Sequence, residues 1–490
     1  MEVLLGKPPR MTRDVTRVAR DAGDFDPEGL DLREAAYAVL RHPSVASKRF
    51  LITIGDRTVG GLSHRDQLVG PWQVPVADVA VTLADYVGFA GEAMATGERM
   101  PIAAVDAPAS GRMAVGEAIT NLLAAPIQLS RVKLSCNWMA ACGEPGEDAA
   151  LYDTVQAVAM ELCPALGISV PVGKDSLSMR TRWSDAASGE TKQVTSPVSL
   201  VVSAFAALDD VRGTLTPQVR GSDGVATKLL LIDLGERRNR LGGSILAQTR
   251  GAFGGPVPDL DDVDLLRRTV AFVNDLRARG LVLAYHDRSD GGLWAALCEM
   301  AFAGGRGLDV YATTLPALFS EELGVVLEVP VIDEDVQDDV VHQLLHHHGL
   351  FEVAEHVADV AGHRRIRVLG DMLRPVLDES LHDLAQAWDE VSWRISRLRD
   401  NPECADSEHA AVGADDDPGL VVVPSFDPDE DVAARFSANL ARGVRPKVAI
   451  LREQGVNSHV ETAFAFDVAG FDTYDVHMTD LQSGRFDLKD

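Results

Sequence analysis

The stretch LVLAYHDRSDGGLWAALCEMAFA, residues 281–303, decides the fold. Its apolar, β-forming start predicts a strand over 281–287, and the small and apolar residues after the glycines predict a helix over 291–303. The turn between them is polar and ends in two glycines. Amides at a helix N-terminus favour an anion, and glycines let a phosphate approach the backbone. The alternative is an ordinary strand-to-helix turn in which Ser289 or Asp290 caps the helix.

The alternation of strands and helices continues in both directions from this stretch. It indicates α+β or α/β layers in two units, on either side of a polar loop at 209–226. The predicted strands are FLITIGD (50–56), VPVADVAVTLADYVG (74–88), SPVSLVVSAFAAL (196–208), KLLLIDLG (228–235) and LGVVLEVP (323–330), and the other predicted helices are 31–45, 113–124, 147–163 and 260–279.

The composition is that of a soluble globular protein, with 46% hydrophobic and 24% charged residues among 490. Lys and Arg number 46 against 74 Asp and Glu, a net charge of −28. Such a surface repels phosphate backbones and anionic membranes, so we expect neither nucleic acid nor a membrane as a partner. Five scattered cysteines, no apolar run of spanning length and no secretory signal predict a cytoplasmic protein with reduced thiols.

Four oxygen-bearing residues are candidates for a divalent cation. Glu117 and Asn121 lie four positions apart in the predicted helix 113–124, so their side chains share one face. Asp78 follows a predicted strand segment, PVAD (75–78), and Asp287 ends the strand LVLAYHD (281–287). Strand ends that converge on one helix face would gather these oxygens around a cation. Mg²⁺ prefers carboxylate and amide oxygens and often keeps phosphate oxygens as further ligands. On spacing alone, a solvated helix face explains Glu117 and Asn121 better than a metal site does.

Other polar clusters have plainer interpretations. Lys174 lies in a predicted glycine-preceded turn, VGKDSLSM (172–179). Among the glycine-containing segments, this one is the best candidate for binding a phosphate. The run His346–His348 closes a predicted helix, where cations are favourable in themselves and adjacent histidines point in different directions. No pattern names a catalytic base for Cys136 or Cys142.

The last part of the chain has a different character. Residues 401–430 are acidic and dotted with prolines, which predicts an extended or mobile linker. A strand at 448–451, a capping box at Ser458 and Glu461, and a helix stop at Gly470 are predicted after it. One strand, one helix and the start of a second strand cannot close a core. We therefore expect a third domain that is cut off at the end of the chain.

Six longer segments contain the predicted elements and polar turns, in order along the chain: GGLSHRDQLVGPWQVPVADVAVT (60–82), GRMAVGEAITNLLAA (111–125), KLSCNWMAACGEPGEDAALYDTV (133–155), VPVGKDSLSMRTRW (170–183), AYHDRSDGGL (284–293) and RPKVAILREQGVNSHVE (445–461). Taken together and in this order, they resemble the large-type phosphoribosylformylglycinamidine synthases. The last of them is similar to the opening of that family's glutaminase domain.

The resemblance implies a mixed α+β and α/β fold. It consists of aminoimidazole ribonucleotide synthetase-like, or PurM-like, N-terminal and C-terminal domains followed by a truncated class I glutamine amidotransferase start. The implied segments are a connecting segment at 1–45, the N-terminal nucleotide-binding domain at 46–212, the C-terminal domain at 226–398, an acidic linker at 399–444 and a partial amidotransferase domain at 445–490.

The family converts formylglycinamide ribonucleotide (FGAR), glutamine and ATP into formylglycinamidine ribonucleotide (FGAM), glutamate, ADP and phosphate in purine biosynthesis. The resemblance implies that this chain is the second synthetase half, with Mg²⁺ and ATP or ADP in an auxiliary site that does not turn over. Asp78, Glu117, Asn121 and Asp287 match the magnesium ligands. Ala77 and Ser289 match nucleotide contacts, and we add Lys174 as a nucleotide-binding candidate.

The resemblance also limits what the chain can do alone. The family's glutaminase nucleophile and the catalytic site of the first half lie outside it, so we name no catalytic residue and expect the isolated chain to be inactive. The full-length enzyme is expected to be a monomer that uses adenine nucleotide, FGAR and glutamine-derived ammonia. The alternatives are a non-catalytic nucleotide-binding scaffold subunit of the same pathway, and a selenophosphate synthetase or thiamine-phosphate kinase, which would lack REQGVNS (452–458).

Overall fold

The computed structural model describes residues 15–20, 23–55, 57–58, 60–221, 226–331, 340–432 and 443–489. Within these ranges, the first unit is a six-stranded sheet in the order β1-β4-β5-β10-β6-β7, with two short hairpins, β2–β3 and β8–β9. Its strands are β1 Ser63–Arg65, β2 Leu68–Val69, β3 Val74–Pro75, β4 Ala80–Leu83, β5 Gly91–Glu98, β6 Lys133–Met139, β7 Ser169–Ser176, β8 Arg180–Ser184, β9 Thr191–Thr195 and β10 Ser199–Leu208. The helices up to this point are α1 Leu32–Leu40, α2 Arg49–Ile52, α3 Ala107–Leu122 and α4 Glu147–Val155, which continues through a π-helix at Gln156–Leu162 into α5 Cys163–Leu166.

Helix α3 is the central helix of the first unit. Asp106 caps its N-terminus by accepting a hydrogen bond from the Ala109 amide at 2.9 Å, as a short acidic N-cap does. The helix lies so close to β5 that a Cβ added at Gly97 would fall 2.2 Å from the Ala114 carbonyl. On another side, a Cβ added at Gly116 would fall 2.2 Å from Leu323 of the second unit. Small residues therefore let α3 pack between the two units.

The second unit is built on a seven-stranded sheet, in the order β12-β14-β11-β15-β13-β16-β17 in the described residues. Its strands are β11 Thr227–Asp233, β12 Ala284–Asp287, β13 Gly307–Val310, β14 Gly324–Pro330, β15 Ala354–Ala361, β16 Arg365–Leu369 and β17 Pro375–Ser380. Its helices are α6 Ile245–Thr249, α7 Val263–Ala278, α8 Gly292–Gly304, α9 Leu315–Phe319, α10 Val340–His347, α11 Leu381–Arg399 and α12 Pro402–Ala411. Helix α1 packs into the core of this unit, where the Trp294 indole donates to the Ala36 carbonyl at 3.1 Å.

The second unit also closes the C-terminal end of α3. The guanidinium of Arg277 in α7 donates to the carbonyls of Leu123 and Ala124, at 2.5 and 3.3 Å. The hydroxyl of Tyr285 in β12 donates to the Thr120 carbonyl at 2.5 Å. Carbonyls at a helix end lack the full set of intrahelical partners, so the second unit supplies additional donors: the Thr120 carbonyl also accepts the Leu123 amide at 3.2 Å, and the Ala124 carbonyl also accepts the Leu215 amide at 2.8 Å. The face of α3 that carries the candidate ligands is thereby fixed against β12.

The last described segment is a parallel pair with two helices. It comprises β18 Lys447–Arg452, α13 His459–Val468, β19 Asp472–His477 and α14 Met478–Gln482. The two strands pair in parallel, with Lys447 opposite Asp472. The ring of Phe464 in α13 stacks on that of Tyr86 in the first unit, with centroids 4.6 Å apart.

The predicted fold class is confirmed, and so are the strands and helices that the apolar patterns predicted around 113–124, 147–163, 196–208, 228–235, 260–279 and 281–303. In the described residues no helix is long and apolar enough to cross a membrane. The cytoplasmic location, the monomeric state and the five segment boundaries remain predictions.

Four local predictions are wrong. FLITIGD begins in helix α2 rather than a strand, because Arg49 is drawn to Asp389 of α11 by a two-point ion pair at 3.0 and 3.1 Å. Lys174 lies in β7, not in a turn, because that segment pairs in parallel with β6. Ser458 stands at the N-cap of α13 with φ of 67° and no side-chain cap bond, so the capping box does not form. The acidic linker contains helix α12.

Candidate metal centre

Two carboxylates from different units meet at the boundary between the sheets. Asp78 lies just before β4 of the first unit, and His286 and Asp287 end β12 of the second. One ligand atom from each of these three residues lies within 4.8 Å of the others. The predicted convergence of Asp78 and Asp287 is therefore what the fold produces, although 209 positions separate them in the chain.

The Asp78 carboxylate is anchored through one oxygen only. Its Oδ1 lies 2.7 Å from Nδ1 of His286 and accepts the Asp287 amide at 3.1 Å. Its Oδ2 is buried and has no hydrogen-bond partner among the described residues, and the same holds for Oδ2 of Asp287. Buried polar atoms are nearly always paired, and an unpaired one is costly. Two unpaired carboxylate oxygens in one cluster are therefore suited to hold a cation.

His286 is grouped with the carboxylates but is not available as a ligand. Its Nδ1 faces Asp78, and its Nε2 faces Oε2 of Glu299 at 2.9 Å. A histidine ligand must offer a nitrogen lone pair to the metal. Because both ring nitrogens are engaged by carboxylates, His286 holds Asp78 in place instead of binding a cation.

Glu117 of α3 is the third candidate carboxylate, but it is not part of the group formed by Asp78, His286 and Asp287, and its link to that group is the charge of Asp287, which adds to burial in raising the pKa of Glu117. Glu117 is 8% exposed, its Oε2 accepts the Glu98 amide at 2.6 Å, and its Oε1 lies 3.9 Å from the Arg99 guanidinium. Asn121, one turn further along, donates through Nδ2 to the Thr96 carbonyl at 3.1 Å. This bond uses the amide nitrogen of Asn121 and leaves its side-chain oxygen for another partner.

Burial and like charge dominate the electrostatics. Burial, with the negative charge of Asp78 adding to it, raises the pKa of Asp287 to about 8. Burial also raises the pKa of Glu117, against the attraction of Arg99 and with a further rise from the charge of Asp287. Burial alone would lower the pKa of His286, but Asp78 and Glu299 outweigh it and raise that pKa. The carboxyls of Asp287 and Glu117 therefore resist ionisation until a cation compensates their charge.

The glycine-ended turn after β12 is held by an internal carboxylate. Oε1 of Glu321 accepts the amides of Gly291 and Ile245, both at 2.8 Å, while Arg99 pairs with Glu321 and Asp290. Gly291 is the N-cap of α8, in the left-handed region with φ of 84° and without a side-chain cap bond. The alternative in which Ser289 or Asp290 caps the helix does not form, and one amide of the predicted anion site is already occupied by Glu321.

The nucleotide candidates are not all near the cluster. Ala77 and Ser289 are half-buried. Ala77 directly precedes Asp78, and Ser289 follows Asp287 by two residues. Lys174 is exposed on β7, at the edge of the sheet, four strands from β4. At roughly 4.8 Å per strand this amounts to about 19 Å. The structure thus brings Ala77 and Ser289 to the cluster and leaves Lys174 apart from it.

Sequence reasoning missed the residues that support the ligands: His286, Glu299, Arg99 and Glu321. His286 stands inside the quoted turn segment but has no metal-ligand spacing of its own. Glu299 is a single acid within an apolar stretch, and Glu321 forms an acidic pair with Glu322 between apolar stretches. Both are rare patterns for residues that are almost never fully buried unless paired. Those patterns were the available signal.

Three domain families match the chain in sequence order. The FGAR-AT PurM_N-like domain matches residues 47–207, the C-terminal domain of AIR synthase related proteins matches 228–370, and the CobB/CobQ-like glutamine amidotransferase domain matches 445–490. The chain is an FGAM synthase-type protein. The first match contains Asp78 and Glu117, and the second contains Asp287, so the candidate centre of this FGAM synthase-type protein lies where its two synthetase-related domains meet.

Two solved structures are similar to this chain. The chain is 14% identical to Thermotoga maritima PurL complexed with FGAR, with a TM-score of 0.50 over 73% of this chain and 54% of that one. It is 15% identical to phosphoribosylformylglycinamidine synthase II from Thermotoga maritima, with a TM-score of 0.47 over 81% of this chain and 55% of that one. The FGAM synthase-type chain thus spans about half the length of these solved relatives.

Proposed function

We propose that this chain is part of an ATP-dependent ligase that converts FGAR, glutamine and ATP into FGAM, glutamate, ADP and phosphate. The proposal further assigns to the chain an auxiliary site that holds Mg²⁺ with an adenine nucleotide and does not turn over. FGAR and glutamine-derived ammonia are reactants of the whole protein, in keeping with a relative of the same fold solved as a complex with FGAR.

One observation carries the assignment of the site. Oδ2 of Asp78 and Oδ2 of Asp287 are buried and unpaired in a single cluster, among the described residues. Hard oxygen donors of this kind suit Mg²⁺, which binds through one or two carboxylates and keeps further positions for phosphates and water. Asp78, Asp287, Glu117 and Asn121 would hold the ion, and when bound it would neutralise the carboxylates and carry the phosphates.

The residues around the ion have separate tasks in this proposal. His286 orients Asp78, and the backbone amide of Glu98 orients Glu117. Ala77 and Ser289 would contact the nucleotide from the two sides of the cluster. Lys174 is left out because of its distance from the carboxylates.

The site joins two units, which supports a structural role for the nucleotide. Asp78 and Glu117 come from the first unit and Asp287 from the second. Any ligand that binds all three stabilises the folded arrangement by mass action, because the unfolded chain does not present the site. The bound nucleotide would act as a wedge that keeps the two units together.

Acid extraction of the purified chain, followed by chromatography of the extract and metal analysis of the protein, tests this proposal. We expect ADP or ATP together with magnesium, in amounts close to one per chain. Asp287→Asn, purified in the same way, is the control and is expected to lose both. A wild-type extract without adenine nucleotide would contradict the proposal.

A further inference from the structure

A continuous line of hydrogen bonds runs from helix α11 to the metal centre. The Trp388 indole donates to Oε1 of Glu299 at 3.1 Å, and Oε2 of Glu299 lies 2.9 Å from Nε2 of His286. Nδ1 of His286 lies 2.7 Å from Oδ1 of Asp78. The line crosses three elements of the second unit and ends on a carboxylate of the first.

Each member of this line uses its polar atoms in a way that fixes the next. Trp388 is 5% exposed, and its indole N–H also meets the Val45 carbonyl at 3.0 Å, so the ring cannot turn freely. Glu299 is held through one oxygen and presents the other to His286. His286 in turn takes up Oδ1 of Asp78, so that only Oδ2 of Asp78 is left unpaired.

Without the Glu299 carboxylate, nothing described in the structure would hold Nε2 of His286. The imidazole could then rotate, and Asp78 would keep only the Asp287 amide as a fixed partner at 3.1 Å. Outer partners of this kind orient metal ligands, and their removal weakens metal binding even though they never touch the ion.

We propose that Glu299 is a positioning residue that acts through His286 to aim the free oxygen of Asp78 at the divalent cation. This inference rests on the proposed function, since it presupposes that a cation binds at Asp78. It assigns His286 to the support of the site and not to its ligand set, and it gives a role to the buried acid of α8.

For the test, bound metal and nucleotide are first removed from the full chain. Mn²⁺ is then added in the presence of ADP, and its binding is measured by electron paramagnetic resonance. For Glu299→Gln we expect the dissociation constant for Mn²⁺ to rise roughly 10- to 100-fold, together with an altered spectrum of the bound ion. Trp388→Phe keeps an aromatic ring at this position but replaces the indole by a smaller phenyl ring without an N–H, and we expect a smaller rise in the same direction. This second variant decides the matter if Glu299→Gln does not fold.

Glu379→Gln is the matched control. The Glu379 side chain is 10% exposed and pairs with Arg33, whereas that of Glu299 is 18% exposed. The control removes a comparable carboxylate away from the centre and is expected to leave Mn²⁺ binding unchanged. If folded Glu299→Gln and Trp388→Phe both bind Mn²⁺ with the affinity and the spectrum of the wild type, the role of Glu299 is overturned and the proposed function is not. Failure of the wild-type chain to bind Mn²⁺ would overturn the proposed function with it.

Discussion

The guanidinium of Arg99 lies 3.0 Å from the carboxylate of Glu321, although the two residues are 222 positions apart in the chain. Arg99 is 3% exposed and follows β5 of the first unit, while Glu321 precedes β14 of the second. Arg99 also reaches Asp290 at 3.1 Å and lies 3.9 Å from Glu117. The buried guanidinium of Arg99 therefore links the two units through Glu321, and it also lies beside the turn after β12 and the candidate ligand Glu117.

Arg99→Met should destabilise the chain strongly. It leaves Glu321 buried without its cation, and breaking a buried pair from one side costs roughly 3–5 kcal/mol. Urea denaturation of the metal-free chain measures the loss in the free energy of unfolding. Arg131→Met is the control, because Arg131 and Asp209 are 42% and 72% exposed and such pairs contribute less than about 1 kcal/mol. Equal losses in the two variants would disprove the role of Arg99.

The stability of the metal-free chain should fall as the pH rises. Burial raises the pKa of Glu321 from its ordinary value of 4.5 to about 7, against the attraction of Arg99 and with a further rise from Asp290. The folded chain then retains a proton that the unfolded chain has released, so this contribution is complete below pH 4.5 and is lost as the pH rises through about 7.

Urea denaturation at several pH values between about 5 and 8 checks the sign of this effect. The free energy of unfolding should decrease across this range, and Glu321→Gln should show a shallower decrease. Glu379→Gln is expected to keep the wild-type dependence. A wild-type stability that increases from the acid to the alkaline end would refute the prediction.

Asp287→Asn and Glu117→Gln should lose the stabilisation that Mg²⁺ and ADP confer. Ligand at 100 times its dissociation constant adds about 2.7 kcal/mol to a one-site protein. Thermal unfolding with Mg²⁺ and ADP, and again with EDTA, measures this difference. We expect a higher melting temperature with ligand for the wild type and little change for the two variants. Identical melting of all three proteins in both buffers would rule out the structural wedge.

Arg277→Met should loosen the C-terminal end of α3. The guanidinium donates to the carbonyls of Leu123 and Ala124, and the Ala124 carbonyl also accepts the Leu215 amide at 2.8 Å, so the variant leaves the Leu123 carbonyl without its donor. An unsatisfied buried polar group costs about 1–3 kcal/mol. Arg279→Met, at an exposed position two residues later, is expected to change the free energy of unfolding by less than about 0.5 kcal/mol. Faster amide exchange near Thr120 in Arg277→Met only would support the capping role. Its absence would count against that role.

Much of the fold follows from local pattern. Several elements can be predicted from one window of sequence, because the periodicity of their apolar residues indicates which face is buried. They are helix α3 with its small and apolar residues, the amphipathic helix α7, and the apolar strands β10, β11 and β14. The convergence of Asp78 and Asp287 was also predicted, through a resemblance that linked segments far apart in the chain.

The remaining features depend on contacts that no local window contains. Helix α2 forms because Arg49 reaches Asp389, against a β-forming sequence, and its Leu51 is 57% exposed. Lys174 is extended because β7 pairs with β6. The support of the centre by Glu299 depends on how α8 lies beside β12, which is a property of the packed unit. Helix α12, by contrast, had a readable signal, since Asn401 before Pro402 is a typical start and its side chain accepts the Glu403 amide at 2.9 Å.

Anomalous diffraction from crystals grown with Mn²⁺ and ADP tests the central claim most directly. The account predicts a manganese peak in contact with Oδ2 of both Asp78 and Asp287, at roughly 2.0–2.3 Å, with nucleotide phosphate on its open side. A peak elsewhere, or none while Oδ2 of Asp78 and Oδ2 of Asp287 are bridged by water alone, would contradict it.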